Sequence, residues 1–122
     1  MGFLERNQPF IVLLAGLIGA CGVALAALAT HTGASLLGPA STMCLVHAPA
    51  IFALLASAEK LGTARLSAIV LAIGTVVFAG DLSLKQFYGV SLFPMAAPLG
   101  GLTMIGGWLI AAAGGLFRSG RS

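Results

Sequence analysis

Hydrophobic residues run almost unbroken through four stretches of this 122-residue chain, and polar or helix-starting residues fall between them. The stretches cover about residues 9–30, 39–58, 63–83 and 96–117. Each is close to the ~20 residues that an α-helix needs to cross a ~30 Å hydrocarbon core. Pro9 suits a first helical turn, where its missing N–H would have no partner anyway. Pro39 opens the second stretch, and Glu59 and Lys60 follow its end. Thr63 is placed to cap the third, which reaches Asp81 about 27 Å from its start at ~1.5 Å per residue. Pro94 and Pro98 flank the start of the fourth, and Arg118 and Arg121 close it. Short links between such helices predict antiparallel neighbours. The pattern therefore predicts an all-α integral membrane protein, an antiparallel four-helix bundle forming one transmembrane domain over residues 1–122.

Composition strengthens that picture: 59% of residues are hydrophobic, 7% are charged, and the mean hydropathy is +1.08. Soluble domains do not reach such values. Six basic and three acidic residues give a formal charge of +3, too scattered for a nucleic-acid footprint. Arg6 followed by an apolar run ending in small residues at Ala26–Ala29 has a rival reading as a signal peptide. That run exceeds the usual h-region of roughly 7–15 residues, which favours a membrane span. If the helices alternate, Arg6, Lys60, Arg65, Arg118 and Arg121 share one face and Lys85 stands alone on the other. The positive-inside rule then places both termini in the cytoplasm. Phe87, Tyr88 and Phe93 would form an aromatic belt at the outer interface.

Small residues mark narrow faces where another backbone can come close. They are Gly16, Gly19 and Gly22 in the first helix, then Gly107, Ala111 and Gly115 in the fourth, with Gly100 and Gly101 near its start. Packing within the bundle, homo-oligomerisation and docking to a larger membrane complex all use such faces, and membrane lipids are the remaining partner. Trp108 fits either a core or a lipid-facing position.

Four polar residues stand out in the outer half: His31, His47, Asp81 and Lys85. Asp81 and Lys85 are four apart, so on a continuing helix they share a face and can pair. His47 lies about 12 Å into the second span from Pro39, where a histidine needs a partner inside the bundle. Pro49 removes a main-chain hydrogen bond beside it, so a freed carbonyl or kink is expected near Leu45. His31 follows the first span, where a cation is favoured by the helix C-terminus.

Met43, Cys44 and His47 offer soft and imidazole ligands on adjoining turns, a set that copper tolerates, although the spacing fits no metal signature. Haem between His31 and His47 has still less support, so no cofactor is expected. Cys21 and Cys44 both lie within spans and read as small apolar residues rather than a disulfide. No nucleophile–base arrangement, phosphate loop or carboxylate pair is present, so the pattern gives no enzyme.

Four segments carry a family resemblance: GVALAALATH (22–31), VHAPAIFALLA (46–56), FAGDLSLKQF (78–87) and LFPMAAPLGGLTMIGGW (92–108). They resemble the small membrane family of YgdD-like and YwdK-like bacterial proteins and eukaryotic transmembrane protein 256, known as domain of unknown function 423. The specific positions are His31; His47 with Ala48; Phe78 with Gly80 and Asp81; and Pro98 with Gly100, Gly101, Gly107 and Trp108. Val46 departs from the pattern, since many relatives carry tyrosine there. The resemblance implies a four-span protein of the bacterial inner membrane. Two functions are expected from the residues themselves: the glycine faces suggest a non-catalytic accessory, assembly or lipid-interacting protein, and the outer-half polar cluster a small transporter or proton-coupled binding protein with His47 and Asp81 as ligands.

Overall fold

Five helices carry the chain in the computed structural model, which describes residues 2–116, and among these described residues there is no strand. A single turn, α1 (Phe3–Arg6), precedes α2 (Gln8–Thr32), α3 (Leu37–Ala56), α4 (Ala64–Tyr88) and α5 (Ala96–Gly114). The four long helices are each apolar and long enough to cross a membrane. The chain is a membrane protein built as a four-helix bundle.

The helix ends have local causes. Gly33 and Gly89 adopt left-handed conformations (φ 69° and 71°) and stop α2 and α4, a role that suits a residue without Cβ. The third span thus runs to Tyr88 rather than 83, which puts Phe87 and Tyr88 on a helix instead of in a link. Both side chains, and Phe93, are exposed. The second span starts at Leu37 and ends at Ala56, and Arg65 belongs to the first turn of α4. Thr63 is the residue before α4, but its hydroxyl makes no capping bond. Pro49 lacks the N–H that would meet the Leu45 carbonyl, yet α3 stays helical through it. The predicted end of the fourth span at 117, with Arg118 and Arg121, lies outside the described residues.

Each spanning helix packs on the next, and α2 also touches α4. Among the described residues the α2 and α5 backbones stay apart, as do those of α3 and α5. That leaves α4 central, with 50% of its most apolar window buried against 22% for α2. Ile11, Ala15 and Ile18 of α2, Ala48 and Ile51 of α3, and Ala68, Leu71 and Ala72 of α4 form the core. Arg65 Nε donates to Gln8 Oε1 at 2.9 Å and ties α4 to α2 at one end of the bundle. At the opposite end the Leu36 amide donates to Gln86 Oε1 at 2.9 Å, tying α3 to α4.

Candidate functional site

Ser67, Gly74 and Asp81 recur every seven residues along α4, as do Gly100, Gly107 and Gly114 along α5. A spacing of seven keeps residues on one face through two helical turns. The two faces meet. A Cβ on Gly74 would lie 2.8 Å from the Met104 amide nitrogen and 2.9 Å from the Gly100 carbonyl oxygen. One on Gly100 would lie 2.7 Å from the Phe78 amide nitrogen and 3.0 Å from the Gly74 carbonyl oxygen. Two backbones are therefore in direct contact, and neither can yield as a side chain does. Lower in the seam, the buried Ser67 hydroxyl donates to the Gly107 carbonyl at 2.7 Å, and Gly107 leaves room for Leu71. At its end Gly114 lies against Leu61 and Thr63, whose hydroxyl has no hydrogen-bond partner among the described residues.

Asp81 closes the other end of this seam. Its side chain is fully buried, with 0% exposure. Oδ1 accepts from the Leu92 amide at 2.9 Å, and Oδ2 accepts from the Ala97 amide at 3.1 Å. Lys85 Nζ stands 3.3 Å from Oδ2, one helical turn further along. Ala97 lies in the first turn of α5, whose own preceding residue, Met95, supplies no side-chain cap and has φ 67°. Asp81 thus caps α5 from a different helix, placing its charge at the positive end of the α5 dipole. A buried carboxylate is tolerable only when its charge and lone pairs are satisfied, and here a cation and two amides do so.

His47 is buried in α3, with 4% exposure, and reaches α5 by its ring alone. The Trp108 indole N–H donates to His47 Nε2 at 3.0 Å. Because an indole nitrogen can only donate, Nε2 must be the unprotonated nitrogen. Nδ1 then carries the proton and donates to the Met43 carbonyl at 2.8 Å. The imidazole is neutral with both nitrogens used, and its ring centroid is 5.7 Å from that of the indole. Trp108 remains 45% exposed, so its ring faces outward while its N–H turns in.

The four polar residues do not form one cluster. Asp81 and Lys85 pair, but His47 meets α5 at Trp108, eleven residues or about 16 Å below Ala97. His31 is exposed in the last turn of α2. For Met43, Cys44 and His47, no ring nitrogen of His47 is left for a metal, and no group of three His, Cys, Asp or Glu suits one among the described residues. Both cysteines are free thiols, Cys21 exposed and Cys44 buried.

The glycine set divides too. Gly19 and Gly22 face α3, where a Cβ would meet Ala48 and Cys44 at 3.4 and 2.9 Å, and Gly100 and Gly107 face α4. Gly16 and Gly101 have nothing near, and Gly115 meets only the Ala112 carbonyl of its own chain turn. Positions three apart drift by ~60° around a helix, so Gly16, Gly19 and Gly22 cannot all face one neighbour. Gly101 is turned ~100° from Gly100. Gly115, which follows the end of α5, gives way to Gly114, and Gly74 was the missing counterpart on α4. The seven-residue spacing was the signal that would have found both.

A cavity of about 320 Å³ lies between α2 and α4 with Cys44 of α3 at its floor. Residues 18–101 match the model of a family described as "Protein of unknown function (DUF423)", more than half of the chain. The chain belongs to that family. No curated protein and no solved structure matches it. The DUF423 match takes in His47, Gly74, Asp81 and Gly100 and stops ahead of Gly107 and Trp108. In this DUF423 chain the Phe78–Asp81 motif and the Pro98–Gly101 motif are the two sides of one seam.

Proposed function

We propose that this chain is a non-catalytic accessory, assembly or lipid-interacting protein of the bacterial inner membrane, with both termini in the cytoplasm. One observation carries the reading. The two side chains that a transport or catalytic site would draw on, His47 and Asp81, spend both ring nitrogens and both carboxylate oxygens on the protein itself, each on different partners. Buried ionisable groups at membrane depth usually mark a pathway. Here their partners are the Leu92 and Ala97 amides and the Trp108 indole, which fix α5 and the link before it, together with the Met43 carbonyl and Lys85 one turn away on their own helices. Arg6, Lys60 and Arg65 at one end against Lys85 at the other support the orientation.

Reconstitution in liposomes tests this. The expected result is proton flux no greater than in empty liposomes, for the wild type as for His47→Gln and Asp81→Asn. Protein-dependent flux that disappears in either variant would establish the transporter reading instead. Mild-detergent purification should also retain a stoichiometric partner or ordered lipid, and a monomer carrying neither counts against an accessory role.

A further inference from the structure

We propose that the cavity between α2 and α4 is a lateral cleft that holds one acyl chain of a phospholipid from the leaflet at the Asp81 end. The inference deepens the lipid-interacting reading above, and four observations carry it.

The first is access. Leu17, Cys21 and Val76 line the cavity and are themselves exposed, so it opens sideways from the bundle rather than along its axis. In a spanning bundle that direction is lipid. The second is depth. Arg65 bonds Gln8, which sets the relative level of the parallel helices α2 and α4. Counted from that level at ~1.5 Å per residue, the α4 lining from Thr75 to Ser83 lies about 15–27 Å up and the α2 lining from Leu14 to Leu25 about 9–26 Å, so the cleft starts below the midplane of the ~30 Å core and most of it lies in the half nearer Asp81.

The third is width. The α2 lining runs from Leu14 to Leu25, about 16 Å at ~1.5 Å per residue. A volume of about 320 Å³ open to the centres of water-sized spheres over that length gives a channel about 8 Å from wall to wall, once the ~1.4 Å radius of such a sphere is added on each side. An α-helix with its side chains needs ~10–12 Å, so neither a second copy nor a partner helix enters. A single polymethylene chain, whose carbons approach their neighbours at ~3.5–4.0 Å, does. The fourth is polarity. Along its length the cleft is apolar, and the Thr75 hydroxyl within it is already donated to the Leu71 carbonyl. At its upper end stands Ser83, and the lining face of α2 continues from Leu25 through Leu28 to His31 and Thr32 at the helix terminus. Apolar length followed by hydroxyl and imidazole is the polarity of a phospholipid read from tail to head.

Lipid tails and leucine are equally apolar, so the chain is held by filling contacts that an open cleft forfeits, not by escape from water. Photolabelling with phosphatidylglycerol vesicles carrying a mid-chain diazirine tests the proposal on the intact protein. Adducts should concentrate on Leu17–Leu25 and Val76–Ser83, several-fold above the exposed α5 positions Leu102, Ile105 and Leu109. Ala24→Phe at the rim, and independently Ala79→Leu inside, should remove the cleft adducts and leave the α5 adducts unchanged, with helicity by circular dichroism as the folding check. Equal labelling of all faces, or cleft adducts that survive both variants, would overturn it. So would efficient Cys21–Cys21 crosslinking in the bilayer, which would mean that a second copy covers the opening. These outcomes are separate from the flux assay: lost cleft labelling without flux removes only the acyl-chain site, whereas flux removes the accessory reading.

Discussion

The central helix α4 meets α5 along one face and α2 along another, and the two contacts differ in kind. Against α5 it presents Ser67, Gly74 and Asp81, so the backbones touch and three depths of the seam are fixed by direct contact or hydrogen bonds. Against α2 it presents Val76, Ala79 and Ser83, and the helices leave about 320 Å³ between them. Apolar surface gains little by leaving lipid for protein, so close approach in a membrane depends on small residues and polar bonds. The α4–α5 seam has both. The α2–α4 contact has small residues along the cleft, Ala24, Ala79 and Gly80 among them, but among the described residues no hydrogen bond joins the two helices there, and it stays open.

The strongest way to break this contrast is to put a side chain where the backbones touch. Gly100→Leu should cost at least ~3 kcal/mol, because the obstacle is the Phe78 and Gly74 main chain and cannot turn aside. Thermal unfolding in mild detergent measures it, and a near-native midpoint would mean that α4 and α5 are not in backbone contact. Asp81→Asn comes next. An amide has one oxygen for the Leu92 and Ala97 N–H groups and no charge for Lys85 or the α5 N-terminus, so the midpoint should fall by roughly 10 °C. Protease cleavage in the α4–α5 link should rise in step, and an unchanged midpoint and cleavage rate would remove Asp81 as the α5 cap.

How much of this was legible follows from what each interaction requires. The four spans are visible because apolar runs of membrane length have few other readings. The Asp81–Lys85 pair is visible because it is local, one turn apart on one helix. The amides of Leu92 and Ala97 are invisible, since every residue but proline carries one and nothing marks these two as the acceptor's partners. The His47–Trp108 bond joins residues 61 positions apart, so grouping His47 with Asp81 by depth alone placed it with the wrong partner. Gly107, Ala111 and Gly115 at spacing four and Gly100, Gly107 and Gly114 at spacing seven are both small-residue series on α5, and only the second has a matching series on α4.

A smaller effect is expected where α3 and α5 join through side chains alone. Trp108→Phe keeps the ring but removes the N–H, leaving His47 Nε2 unpaired inside the bundle, at a cost of about 1–2 kcal/mol. Nitrogen NMR of labelled histidine gives the sharper test. The wild type should show His47 as the Nδ1–H tautomer, and Trp108→Phe should shift the Nε2 resonance. An Nε2–H tautomer in the wild type would contradict the Trp108 bond.

The smallest effect separates two adjacent glycines. Gly100 and Gly101 share a motif and a helix, and both lack a side chain, so composition cannot tell them apart. Gly100→Ala puts a Cβ 2.7 Å from the Phe78 amide nitrogen, whereas Gly101→Ala puts one where nothing lies within 4 Å. At Gly101 the only remaining term is the backbone entropy that glycine loses in a helix, so alanine there should stabilise by roughly 0.5–1 kcal/mol. At Gly100 the same substitution forces α5 away from α4 and should destabilise by more than that gain. If both variants shift the unfolding midpoint in the same direction, the difference between the two faces of α5 is not steric, and the tight seam would have to be explained by its hydrogen bonds alone.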